Sequence, residues 1–259
     1  MIPEDSNVLT ILIEDSVPAG PRRTRGRQTW LFGAGIVGSA ALAILVLWGW
    51  EFLRHSRLSA CKAQLGTIAL AFHAFENAHN AFPAAAITDR DGRPLLSWRV
   101  ALLPYLAGGE SLHREFHLDE PWDSPHNVKL VAKMPAIFGC PSDPGASKGM
   151  TPYRVVVSDR EVPNGNPMFQ LDRGTQILEG TDGISNTLLM AESAESAPWT
   201  KPVDHRFALE SAVPKFGSRR QGGFHMATVD GTVRFLKTTV LPAMLKVMIT
   251  RDGGEVILG

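Results

Sequence analysis

The chain has 259 residues, with 26 basic and 26 acidic side chains, a formal net charge of zero and a pI of about 7.1. That balance removes the electrostatic case for a nucleic-acid partner, because such proteins carry a basic surface. Beyond one long apolar run, about 200 residues remain, enough for a single ordinary domain with its own core.

Residues 1–29 hold Pro3, Pro18, Gly20 and Pro21 among mixed charges and read as a flexible cytoplasmic tail. From Leu31 to Trp50 there is no charged side chain; Arg22, Arg23, Arg25 and Arg27 precede the run, and Trp30, Trp48 and Trp50 mark its ends. About twenty helical residues cover roughly 30 Å, the hydrocarbon thickness of a bilayer, and indole rings favour its interfaces. The expectation is a transmembrane helix over residues 30–51. The four arginines ahead of it, against Arg54, Arg57 and Lys62 behind, place the N-terminus in the cytoplasm and residues 52–259 outside. The protein is therefore expected in the cytoplasmic (inner) membrane as a single-pass chain, with the lipid bilayer as its first partner. The tail and the apolar run are both too long for an ordinary cleaved signal. A lipoprotein box at Leu58-Ser59-Ala60-Cys61 is disfavoured by the charges that separate it from the run. Ala34, Gly35, Gly38 and Ser39 form small-x-x-x-small pairs through which two such helices can approach, a route to a homo-oligomer.

Past the apolar run, Leu58, Cys61, Leu65, Ile68, Phe72 and Phe75 recur in steps of three and four, the pattern of a helix with one buried face. The economical reading is one unbroken helix of about 50 residues that leaves the membrane and ends at Phe82-Pro83. After it the texture is α+β. Asp89-Arg90-Asp91-Gly92 is a turn, Ser97 to Leu106 a short helix disturbed by Pro104, and Asn127 to Lys133 helical. Tyr153 to Val157 and Leu188 to Met190 are β-rich. Phe224 to Leu236 reads as a hairpin about Asp230-Gly231, and Leu241 to Ile249 as a last helix after Pro242. The fold class expected is thus α+β, an amphipathic helix packed on an antiparallel sheet, and no internal repeat is present.

The cysteines are Cys61 and Cys140. On the outer face of a membrane thiols tend to pair, and a bridge would close a loop of about eighty residues, worth about 4 to 5 kcal/mol in the chain-entropy picture. Two unpaired buried thiols are the alternative.

At this point the motifs become recognisable. A long apolar helix running into an amphipathic one and then an antiparallel sheet is similar to the plan of type IV pilins and type II secretion pseudopilins. More closely, the chain resembles the bacterial prepilin-like family called domain of unknown function 1559. The residues that carry this are Cys61 to Asn80, Phe82-Pro83, Leu96-Ser97-Trp98-Arg99 to Tyr105-Leu106, Asp119 to Asn127, Cys140-Pro141-Ser142-Asp143-Pro144, Thr181 to Thr187 and Asp230-Gly231. The resemblance implies a pilin-like head and an H-x9-D-G element near the C-terminus. Here the position of its histidine is Arg220, while His225 stands at another spacing. Gly26-Arg27-Gln28-Thr29-Trp30-Leu31 also lacks the Phe and the internal Glu of a processed prepilin. The resemblance therefore implies a pilin-shaped relative kept as a fixed anchor.

Candidate chemistry is sparse. Ser218, His225 and Asp230 are close in sequence, but no Gly-x-Ser-x-Gly elbow accompanies them, and His225 and Asp230 point to opposite faces of a strand. They read as hairpin surface residues. Asp89-x-Asp91-Gly92 opens like a calcium loop without the closing Glu. Asp182 and Asn186 offer oxygen ligands for calcium, or fold their own loop. His113, His117 and His126 lack a metalloprotease pattern for zinc. Trp98, Trp122, Trp199 and Phe216 read as packing residues. The expected protein is non-enzymatic, without cofactor or bound metal. It would be a membrane-anchored pseudopilin-like element making protein–protein contacts in a secretion or cell-envelope assembly. The alternative is an extracytoplasmic ligand- or carbohydrate-binding module with Trp98, Trp122 or Trp199 as its platform.

Overall fold

The computed structural model describes residues 27–158, 165–208, 212–218 and 222–254, and in the first helix the described side chains begin at Leu45. The chain divides into two compact units, Met1–Glu51 and Phe52–Gly259. Helix α1 runs over Arg27–His79, its first part belonging to the first unit.

The expected membrane-spanning helix is corrected here: among the described residues no helix is long and apolar enough to cross a membrane. A span needs about 20 consecutive, mostly apolar residues. Leu45 to Gly49 supply one short apolar stretch of described side chains, and beyond it Glu51, Arg54, His55 and Arg57 enter the helix. The first 26 residues, and the side chains of Ala34, Gly35, Gly38 and Ser39, lie outside the described residues.

In the second unit the expected periodicity is realised. Cys61, Leu65, Ile68 and Phe72 are all fully buried on one face of α1, and Phe75 packs at its margin. Phe72 is the centre of an aromatic group, with ring centroids 4.8 Å from Trp98, 5.3 Å from Phe169 and 6.0 Å from Phe82. Each such side chain contributes roughly 1.5 to 3 kcal/mol on burial. The helix stops a little earlier than Phe82-Pro83. Asn80 adopts φ +59°, and its N–H donates to the Glu76 carbonyl at 2.7 Å. Asparagine tolerates this left-handed cap because its short side chain can satisfy the local backbone.

Strands β1 (Ala86–Thr88) and β2 (Pro94–Ser97) form a hairpin around the Asp89–Gly92 turn. The Asp89 carboxylate accepts from the Asp91 and Arg93 N–H groups, so it folds the turn. Ser97 caps α2 (Trp98–Ala101), accepting from Arg99 N–H at 3.3 Å, and Pro104 lies in a 3-10 turn at Leu103–Tyr105. Helix α3 (Gly109–His113) and a 3-10 segment at Asn127–Lys133 follow.

Strands β3 (Met150–Arg154), β6 (Leu188–Pro198), β8 (Gly223–Thr228) and β9 (Val233–Lys237) make an antiparallel sheet in the order β3-β6-β8-β9. A second sheet, ordered β5-β4-β7, pairs β4 (Val156–Ser158) in parallel with β5 (Phe169–Gln170) and β7 (His205–Arg206); nothing in the local sequence announces it. Helix α4 (Pro242–Ile249) closes the order. Strand β8 and the first six residues of β6 are buried on both faces. Leu189, Ala227 and Val229 join the core that includes α1, while Leu188, Phe224 and Met226 join a second cluster with Met248 and Ile249 of α4. Hence β6 and β8 read as apolar runs and lack clean alternation.

Candidate functional site

Cys61 and Cys140 are bridged, with Cα atoms 5.2 Å apart and a sequence separation of 79. Cys61 occupies the buried face of α1, and Cys140 follows a 3-10 turn at Ala136–Phe138. Gln64, one turn along α1, donates to the Ala136 and Gly139 carbonyls at 2.9 and 3.1 Å and accepts from the Tyr153 hydroxyl at 2.8 Å. That side chain holds the segment bearing Cys140 against the helix.

Against the bridge lies Glu192 of β6, whose residue exposure is 1%. Its Oε1 is 3.9 Å from Cys140 Sγ. A bridged sulfur has no proton to donate, so this is a contact and not a hydrogen bond. Oε2 accepts from the His225 backbone N–H at 2.8 Å and lies 3.4 Å from His225 Nδ1. A cavity of about 10 Å³, room for one water-sized group, is lined here by Cys140, Asp143, Glu192, Ser193 and Ser218 among others. Among the described residues, Cys61, Cys140 and Glu192 form the one group of three His, Cys, Asp or Glu donors close enough to share an ion, their atoms within 4.8 Å of one another.

A second polar centre lies near the β3–β4 junction. Asp204, with a side chain 3% exposed, accepts through Oδ1 from Val155 N–H at 3.0 Å and Trp98 Nε1 at 3.3 Å, and pairs with Arg99 at 3.4 Å. Arg99 also donates to Ser97 Oγ at 2.6 Å and to the Tyr153 carbonyl. Burial lowers the Arg99 guanidinium to about 10, the Asp204 charge opposing this and Arg154 adding to it. Asp204 Oδ2 is buried without a hydrogen bond. A cavity of about 180 Å³ beside it is lined by Val157, Leu171, Asp204 and Arg206 among others. Burial also lowers His205 to about 4, helped by the positive charge of Arg154.

A cavity of about 480 Å³ is an apolar groove beside α1 lined by Thr67, Leu106, Leu112, Pro135 and Ile137 among others. Its size lies within the range of ligand pockets.

The motif residues singled out in the sequence have structural duties. Asp230-Gly231 is the hairpin tip, with Gly231 at φ +83° and next to His73 of α1. Burial alone would raise the Asp230 carboxyl, but hydrogen bonds from Thr228, Thr232 and Ser185 hold it down to about 2. Arg220 lies outside the described residues. Asp182 accepts from the Gly253 and Gly254 N–H groups at 2.7 and 2.9 Å, so both its oxygens clamp the C-terminal segment. Asn186 donates its backbone N–H to the Gly183 carbonyl, shaping the same loop.

His225, expected on the hairpin surface, is buried against Glu192, because β8 is an inner strand. Ser218 donates to the Gly223 carbonyl at 2.8 Å, and Asp230 accepts from Thr228 Oγ1 within its own turn. The rings of His117 and His126 stack at 3.6 Å, with His117 paired to Glu120 and His126 donating to the Glu115 carbonyl. Asn127 ties that motif together, accepting from His117 N–H and donating to the carbonyls of His117, Glu120 and Pro121. Trp98 and Trp199 are fully buried, while Trp122 is half-buried under Lys201.

Sequence reasoning missed Glu192 and Asp204, and gave Arg99 no role beyond its place in the Leu96-Ser97-Trp98-Arg99 motif. For Glu192 a signal existed: a carboxylate placed directly after the apolar run Leu188 to Ala191.

One family model, described as Protein of unknown function (DUF1559), SBP_bac_10, matches residues 54–213. The matched stretch holds both cysteines, Glu192 and Asp204, and stops before the Asp230-Gly231 hairpin. No curated protein and no solved structure matches the chain.

Proposed function

We propose, for a chain that belongs to the DUF1559 family of proteins of unknown function, a non-enzymatic role as an envelope protein. It would be held at the outer face of the cytoplasmic membrane and make protein–protein contacts in a secretion or cell-envelope assembly, as pseudopilins do. The observation that carries this reading is on α1 of the first unit. Leu45, Val46, Leu47 and Trp48 are 69, 61, 64 and 75% exposed. Four successive helical positions step by about 100° each and therefore face every side of the helix. Large apolar groups exposed all round call for a covering partner, such as neighbouring protein helices. The Cys61–Cys140 bridge supports an oxidising compartment for the second unit, since such bonds persist outside the cytoplasm. A carbohydrate platform gains no support from Trp98 and Trp199, which have no surface to offer a sugar ring.

The test is a photo-activatable cross-linker placed at Leu47 in intact cells, read by mass spectrometry. Adducts to a defined envelope protein, or to a second copy, are expected in the membrane fraction. A chain recovered wholly in the soluble fraction without adducts overturns the reading.

A further inference from the structure

We propose that Cys61, Cys140 and Glu192 form a latent site for a thiophilic divalent cation, zinc in the first instance, that becomes available when the Cys61–Cys140 bond is reduced. Three observations carry it. The donor atoms lie within 4.8 Å of one another and all three residues are buried. The Glu192 carboxylate is oriented: the His225 backbone N–H and Nδ1 lie on Oε2, and Oε1 sits 3.9 Å from Cys140 Sγ. The adjoining cavity of about 10 Å³, walled by Cys140 and Glu192, has room for one water.

Zinc takes thiolate sulfur at about 2.3 Å and carboxylate oxygen at about 2.0 to 2.2 Å, in a tetrahedron that accepts water as a fourth ligand. Two thiolates and Glu192 would supply three corners and the cavity water the fourth. The sulfurs start bonded, so they need only part to the separation that a shared ion sets. Cys140 sits on a loop between a 3-10 turn and Pro141, whereas Cys61 is fixed in α1, so the loop makes that adjustment. Against a disulfide, the Glu192 carboxylate gains no hydrogen bond from sulfur. Beside a thiolate-bound cation the same carboxylate becomes a ligand. His225 then holds a ligand in place through its other oxygen, a common arrangement around protein metals.

The redox step balances as thiol–disulfide exchange. A dithiol gives two electrons and two protons, the Sγ–Sγ bond breaks, two thiols form, and the dithiol leaves as its own disulfide. On binding, the cation displaces both thiol protons to solvent. Oxidation reverses the sequence and expels the ion.

The experiment uses the full chain, reduced without oxygen by a water-soluble phosphine and titrated with cobalt(II), then zinc. The phosphine takes oxygen from water and leaves two thiols. Expected is one cobalt per chain, with thiolate-to-cobalt charge-transfer absorption and the visible bands of tetrahedral cobalt, bleached by one equivalent of zinc. The unreduced chain should show neither, and Glu192→Gln should weaken binding at least tenfold. X-ray absorption of the zinc-loaded wild-type chain should count two sulfur and two oxygen or nitrogen neighbours, a readout independent of how the variant folds. The proposal is overturned by a reduced chain that keeps its circular dichroism but gives no cobalt absorption. Unchanged affinity in a folded Glu192→Gln, a four-sulfur or sulfur-free shell, or loss of the fold on reduction overturns it equally.

Discussion

Glu192 and Asp204 are two carboxylates buried in the same unit and kept there by different means. Asp204 lies among cations and donors: Arg99, Arg154 nearby, Trp98 Nε1 and the Val155 N–H. The neighbours of Glu192 include an imidazole, a backbone N–H and a disulfide sulfur. The first arrangement joins segments: Arg99 of α2 reaches β3 through the Tyr153 carbonyl and the 201–204 loop through Asp204. A buried ion pair of this kind is weak as a source of stability but expensive to break by half. The second arrangement surrounds a bond that chemistry can open. Burial of a charge by itself therefore does not mark function. What surrounds the charge separates a structural clasp from a site able to change state.

Three perturbations sharpen or break that contrast. The largest effect is expected for the double change Cys61→Ala with Cys140→Ala. Loss of a bridge spanning 79 positions should cost about 4 to 5 kcal/mol in the chain-entropy picture. Urea unfolding measures it; a loss below about 1 kcal/mol would make the bridge incidental to the fold.

Next comes Arg99→Met, which strands the Asp204 carboxylate and should cost about 3 to 5 kcal/mol, most of it recovered by adding Asp204→Leu. Single and double variants in the same urea assay decide this. A double variant as unstable as Arg99→Met alone would show that the pair is not a unit.

The smallest effect concerns pH. His205 is held at about 4 in the folded chain against an ordinary value of 6.5, burial being the larger cause and Arg154 the smaller. Between those values the unfolded chain binds the extra proton, so stability falls as pH drops from about 6.5 to 4 and is fully present above 6.5. The loss is on the order of 2 to 3 kcal/mol. His205→Phe should flatten that part of the stability–pH curve. An unchanged slope would place the acid sensitivity elsewhere.

Local signals carried much of the architecture. The steps of three and four from Cys61 to Phe72 do form a buried helical face, because side chains so spaced lie on one side whatever surrounds them. Ser97 caps a helix, Asp89 folds a turn and Asp230-Gly231 turns a hairpin, each through bonds reaching only a few residues along the chain. The apolar run before Trp50 illustrates the opposite limit. A count of apolar residues suggested a membrane span, whereas among the described residues no helix is long and apolar enough to cross.

Pairing across long separations belonged to the tertiary structure. Cys61 and Cys140 were candidates on composition and redox compartment, yet their bonding needed α1 and the 136–140 segment to be brought together, partly by Gln64. His225 read as a surface residue until its ring was set beside Glu192 of β6 and Phe235 of β9. The parallel β5-β4-β7 sheet, the Arg99–Asp204 pair and the Glu192 niche join residues dozens of positions apart. Periodicity and turn chemistry act over one or two turns of chain, so by itself the sequence determined the helix face, the caps and the turns. Which side chains then met in the interior depended on how those elements packed, because burial and electrostatic pairing are properties of neighbours in space.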